Sequence, residues 1–88
     1  MLPVTDLVAL DIGGANLKAA DGLGWTASIP FPLWKRRREL PQALSEILAR
    51  RPARRIVATM TGEIADCYLT RSAGVADIVA ALEEAAAG

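Results

Sequence analysis

Eighty-eight residues, about half of them apolar and few aromatic, bound one globular domain with a modest core and exclude a disordered chain. Ten basic and ten acidic side chains give a formal net charge of zero, so the chain as a whole is neither a polycation nor a polyanion. A single cysteine, Cys67, excludes an internal disulfide framework and fits a reducing, cytoplasmic setting. No apolar run approaches the roughly 20 residues that span a bilayer, and no basic segment with a long apolar core marks a signal peptide.

Met1 to Thr5 is a short lead, and Asp6 to Ile12 reads as the first strand. Its apolar centre, Leu7-Val8-Ala9-Leu10, predicts burial on both faces, as in a central strand. Asp11-Ile12-Gly13-Gly14-Ala15-Asn16 then turns the chain, because paired glycines tolerate the positive φ of tight hairpins. Asn16 to Asp21 returns as the second strand, and Asp21-Gly22-Leu23-Gly24 makes the next turn into a third strand at Trp25 to Ile29. An antiparallel meander of three strands is expected.

The first hairpin carries possible chemistry. Asp11 at a strand end can hold a hydrated magnesium ion, the amides of Gly13, Gly14, Ala15 and Asn16 can face phosphate oxygens, and Lys18 can add a positive charge. The plainer reading of the same residues is an ordinary hairpin with its acid and lysine in water.

Pro30, Pro32 and Pro41 frame a connector, Pro30-Phe31-Pro32-Leu33-Trp34-Lys35, which proline chemistry predicts to be extended loop. From Glu39 to Arg50 the spacing of Leu40, Ala43, Leu44, Ile47 and Leu48 predicts an amphipathic helix, with Pro41 tolerated in the first turn, Arg50 and Arg51 in the last, and Pro52 as the stop. Arg54 to Thr59 reads as a fourth strand; a helix precedes it, so it should run parallel to a neighbour, the first strand above all. Thr61, Gly62 and Glu63 follow that strand's end and are candidate pocket residues. Glu63 to Tyr68 reads as a short helix or turn. A last helix is marked by Val75, Ile78, Val79 and Leu82, with Ser72 as its N-cap.

Charge is unevenly spread. Residues 35–55 hold eight of the ten basic side chains and two acids, Glu39 and Glu46, for a local charge of +6. No aromatic interleaving or nucleic-acid-reading motif accompanies the run Lys35-Arg36-Arg37-Arg38, so it reads as a solvated face and no nucleic-acid partner is expected. The chain has no histidine and no second cysteine, which leaves Asp66 and Cys67 without the partners of a zinc site. Cys67 reads as a buried small hydrophobe, and Trp34 as a ring packed under the connector, with ligand stacking its lesser reading.

The acid, glycines and lysine around Asp11, Gly13, Gly14 and Lys18 resemble the first phosphate-binding hairpin of the superfamily that joins sugar kinases, heat-shock chaperones and actin. The expected order β-β-β-α-β-α is that of its ribonuclease-H-like half-domain. Two further stretches, Pro32-Leu33-Trp34-Lys35 and Thr59-Met60-Thr61-Gly62-Glu63-Ile64-Ala65-Asp66-Cys67-Tyr68, resemble the hydantoinase- and oxoprolinase-like proteins known as tetrahydromethanopterin-linked one-carbon transfer pathway proteins. The resemblance runs from about Leu7 to Leu82.

That resemblance implies an α/β, actin-like fold of which this chain is the N-terminal part. It also implies a magnesium-dependent transferase of methanofuran biosynthesis, which joins an aminomethylfuran-methyl diphosphate to γ-glutamyltyramine and releases diphosphate. Asp11 and Lys18 would act in catalysis, Asp11 on the metal, and Gly13 to Asn16 and Thr61 to Glu63 in binding. Members of the family are several times longer, so a fragment is expected, inactive alone and prone to self-association. The alternatives are an ATP-dependent kinase or hydantoinase-type relative and a non-enzymatic interaction domain.

Overall fold

The computed structural model describes residues 4–60 and 70–87. Four strands and three helices follow in the order β1 (Thr5–Ile12), β2 (Asn16–Ala20), β3 (Thr26–Pro30), α1 (Leu33–Arg36), α2 (Leu40–Ala49), β4 (Ala53–Met60) and α3 (Arg71–Ala87). A 3₁₀ turn, Arg37–Glu39, links α1 to α2. The sheet order is β3-β2-β1-β4, with β1–β2 and β2–β3 antiparallel and β1–β4 parallel. The meander and the parallel fourth strand are therefore present as the residue pattern predicts.

One layer of helices covers one face of the sheet. Val8, Leu10 and Ile12 of β1 and Leu17 and Ala19 of β2 point to that face and are buried with Phe31, Leu33, Leu40, Leu44, Ile47, Ile78 and Ala81. The other face carries Ala9, Asp11 and Lys18, all exposed. The expectation that the first strand is buried on both faces is thus corrected among the described residues. Its apolar run is continuous, but strand alternation puts Leu7 and Ala9 on the far face, and the helices pack over the face that carries Val8, Leu10 and Ile12.

The connector also differs from expectation. Leu33–Arg36 is a helical turn, not extended chain. Pro32 stands before it in extended conformation, where a proline needs no amide donor, and its carbonyl accepts from the amides of Lys35 and Arg36 at 3.0 Å each. Buried Leu33 anchors the turn in the core. α2 begins at Leu40 with Pro41 in its first turn, and Arg50 is its C-cap, so the two arginines lie past the last helical turn, not within it. On α3 the cap is Thr70, whose Oγ1 accepts from the Ala73 amide at 3.0 Å, in place of the expected Ser72. The inward stripe of α3 is Gly74, Ile78 and Ala81, while Val75 and Val79 are exposed. Ile78 and partly buried Leu82 pack against the core as the spacing predicts, so only the two valines depart from it. No helix among the described residues is long and apolar enough to cross a membrane.

Candidate functional site

Strand register brings the polar residues of the open face into one row. Asp11 on β1 lies opposite Lys18 on β2 and, on its other side, opposite Thr59 on β4; Lys18 in turn lies opposite Ser28 on β3. The row Thr59, Asp11, Lys18, Ser28 thus crosses all four strands at the end of the sheet nearer the first hairpin. The neighbouring row is Val57, Ala9, Ala20 and Thr26. Together the rows line an open groove of about 530 Å³. Its floor is small and mostly apolar, and charge enters only at the Asp11–Lys18 row.

Thr59 Oγ1 donates to Asp11 Oδ1 over 3.4 Å, a long contact that orients the carboxylate without saturating it. A carboxylate with spare lone pairs beside an exposed ammonium can take a cation and an anion side by side. Magnesium is commonly held by one or two carboxylates with phosphates and water completing its shell, and a single carboxylate such as Asp11 is compatible with that arrangement. Among the described residues no group of three or more His, Cys, Asp or Glu side chains could hold a metal by itself.

The hairpin loop sits just beyond the row. The Gly13 amide donates to the Asn16 carbonyl at 3.1 Å, closing a loop of Gly14 and Ala15. None of these residues has a positive φ; the positive-φ glycines are Gly22 and Gly24 of the second hairpin. The first loop is held from outside, the Phe31 amide donating to the Ala15 carbonyl at 2.8 Å and the Leu33 amide to the Gly14 carbonyl at 3.0 Å. Tertiary hydrogen bonds rather than glycine's conformational freedom therefore set its shape. A side chain at Gly14 would meet nothing within 4 Å. Neither backbone nor packing demands glycine there, so an open approach to the loop is what its bare backbone provides.

Of the residues named from the sequence, Asp11 and Lys18 share the groove, while Gly13 to Asn16 form the adjoining loop and are not among the groove's lining residues. The Gly13 amide is already engaged in the hairpin. Thr61, Gly62, Glu63, Asp66 and Cys67 lie outside the described residues. Thr59 was not a sequence candidate. The available signal was a hydroxyl at the end of a strand parallel to the Asp11 strand, and only the register aligns it with Asp11.

A second polar cluster, at the opposite end of β2, is structural. Asp21 Oδ1 accepts from the Leu23 and Trp25 amides at 2.7 and 3.0 Å, and Arg51 Nε donates to Oδ2 at 2.9 Å. The Asp21 side chain is 3% exposed. The Leu23 amide first, and then the Arg51 guanidinium, hold its carboxyl below the usual carboxylate range. This cluster fastens the second hairpin to the end of α2. Arg51, expected to serve the helix terminus, serves the turn.

No family model matches the chain. Over 82 residues it is 37% identical to the (4-{4-[2-(gamma-L-glutamylamino)ethyl]phenoxymethyl}furan-2-yl)methanamine synthase of Methanocaldococcus jannaschii, an alignment that covers 90% of this chain and 24% of the synthase. The two are related in sequence, and the chain spans about a quarter of the length of that curated relative.

Proposed function

We propose that this chain is the phosphate-binding portion of a synthase like its relative, acting in methanofuran biosynthesis. The product named for the relative contains a phenoxymethyl-furan unit, so its formation requires an ether bond between a phenol oxygen and a furylmethyl carbon. In the proposed reaction the phenol oxygen of γ-glutamyltyramine attacks the methyl carbon of an aminomethylfuran-methyl diphosphate. The new C–O bond forms as the bond to the diphosphate oxygen breaks; diphosphate leaves and the phenol proton is released. The observation that carries this reading is the row Thr59, Asp11 and Lys18, aligned by register beside an unobstructed hairpin loop.

The chemistry asks chiefly for stabilisation of the charge that develops on the departing diphosphate. Lys18 supplies a positive charge to it. Asp11 would hold a hydrated magnesium ion, oriented by Thr59, and the metal when bound would neutralise part of the diphosphate charge. The amides of Gly14, Ala15 and Asn16 would serve further oxygens, and Thr61 to Glu63 would complete the set in this proposal. The strand order and the parallel β1–β4 pair also support assigning the sheet to a ribonuclease-H-like half-domain of the actin-like superfamily.

The test is binding of inorganic diphosphate to the 88-residue chain, with and without magnesium, followed by ³¹P NMR. Magnesium should tighten binding, and Asp11→Asn should remove that magnesium dependence. In a longer form carrying these residues, Asp11→Asn should lower turnover more than substrate affinity, because the contact strengthens as charge develops. Diphosphate binding that is indifferent to both magnesium and Asp11→Asn would refute the site.

A further inference from the structure

The open-face groove holds two rows of different chemistry, and the proposed diphosphate site occupies one of them. Beside the row Thr59, Asp11, Lys18 and Ser28 runs the row Val57, Ala9, Ala20 and Thr26. Read across the sheet, the side chains of this second row are large, small, small and large. Val57 and Thr26, both exposed and β-branched, stand on the outer strands, while the two alanines lie opposite one another on β1 and β2. The result is a trough two strands wide, floored by methyl groups and leading to Asp11 and Lys18. A strand face turned to water ordinarily reads polar. Here three of the four residues are apolar, and Val57 is 51% exposed.

The spacing suits a small flat ring tied to a diphosphate. Successive rows on one face of a strand are about 6.5–7 Å apart, and neighbouring strands about 5 Å. A five-membered ring lying over Ala9 and Ala20 therefore spans the floor, and the methylene and ester oxygen that join it to a diphosphate bridge to the next row. On the other side of the polar row stands the hairpin loop, whose residues do not line the groove. The groove's volume of about 530 Å³ falls within the ordinary range of small-molecule sites, roughly 300–1,000 Å³. Among the described residues no aromatic side chain lines it; Trp34, 58% exposed and so not packed under the connector, stands outside it. A ring in the trough is held by methyl groups and not by stacking. Beyond Ala20 the chain turns through exposed Gly22 to Gly24, which leaves the aminomethyl arm of such a ring in solvent.

We propose that the Ala9–Ala20 trough, walled by Val57 and Thr26, seats the furan ring of the diphosphate substrate. The assignment rests on the reading of the Asp11–Lys18 row as the diphosphate site and gives the ester one orientation there. Its charged end lies along the polar row, its ring lies along the apolar row, and the reacting methylene carbon falls at the border between them.

The test is titration of the 88-residue chain, with magnesium present, with furan-3-ylmethyl diphosphate and with methyl diphosphate, which has the same charge and linkage but no ring. The furyl ester should bind about five-fold more tightly or better, the gain expected from burying one face of the ring. Ala9→Leu fills the floor and should erase that preference, while binding of inorganic diphosphate stays within about two-fold of the parent. Val57→Asn, at an exposed position and without added bulk, should weaken the furyl ester and not the methyl ester. Equal affinity for the two esters, or a ring preference that survives Ala9→Leu, overturns the proposal. So does a trough that serves a second copy of the chain, seen as concentration-dependent sedimentation relieved by Ala9→Leu with no preference for the furyl ester. Inorganic diphosphate that binds through Asp11, with no ring preference, removes the ring seat and leaves the diphosphate site. Diphosphate that does not bind, or binds without regard to Asp11→Asn, removes the site and the seat with it.

Discussion

Gly14→Ala separates function from folding in this chain. The substitution adds one methyl group at a position whose φ is not positive and where that methyl would meet nothing within 4 Å. The folded state therefore bears no strain, while the unfolded chain loses freedom, so stability should be unchanged or higher by about 0.4–1 kcal/mol. The hydrogen bond from the Leu33 amide to the Gly14 carbonyl uses backbone atoms only and should persist. Ligand binding should respond in the opposite direction. If a diphosphate oxygen approaches the bare loop, the methyl stands in its path, and losing one charge-assisted hydrogen bond costs about 1.5–3 kcal/mol. That corresponds to binding weaker by roughly 10- to 150-fold. Thermal melting and ³¹P NMR titration with magnesium diphosphate on the same preparation measure both effects. A variant as stable as the parent that binds diphosphate equally well would refute the role assigned to the open loop. A variant clearly less stable would refute the geometry from which it was argued.

Two further predictions concern the scaffold. Asp21 has a folded-state pKa below its unfolded value, so its contribution to stability is present above the unfolded pKa and lost as pH falls through the folded one. Asp21→Asn should therefore lower the melting temperature at neutral pH, and the gap from the parent should narrow as pH falls below the ordinary carboxylate pKa; a gap independent of pH would contradict the role of its charge. Leu44 on α2 is fully buried, so Leu44→Ala should cost about 2–5 kcal/mol in urea unfolding, and a loss under 1 kcal/mol would mean the helix layer is not packed as described.

Much of the fold is legible in the sequence because local and long-range signals agree. Asp21-Gly22 places the second hairpin, and the structure uses positive φ at Gly22 and Gly24 as that chemistry suggests. The spacing of Leu40, Leu44 and Ile47 gives α2 and its buried face. Where the reading fails, tertiary contact has overridden residue preference. Gly13-Gly14 looks like a loop that needs positive φ, but hydrogen bonds from Phe31 and Leu33 hold it in an ordinary conformation. Proline spacing implies an extended connector, yet burial of Leu33 draws a helical turn out of it. On α3 the marked residues divide, Ile78 and Leu82 packing against the core while Val75 and Val79 are exposed. Asp11 and Lys18 are readable as neighbours because they flank the hairpin symmetrically. Thr59 is not, because its place beside Asp11 exists only once β4 has paired with β1.

The candidate site is in this sense a product of register. A strand that slips by one residue presents its alternate side chains to the other face. Slippage of β2 would carry Lys18 into the helix layer and Leu17 out of it, and slippage of β4 would do the same to Thr59 and Ala58. The first error is opposed by fully buried Ile12 and Leu17, which lie opposite one another across the hairpin. The second is opposed by Ile56, Ala58 and Met60, the β4 residues packed against the core. The large apolar side chains on the covered face therefore determine which polar groups meet on the open face, although none of them reaches the groove's polar row. Exposed residues such as Asp11, Lys18 and Thr59 can then be exchanged at little cost to the fold, and changes in ligand binding on that face report on chemistry rather than on folding.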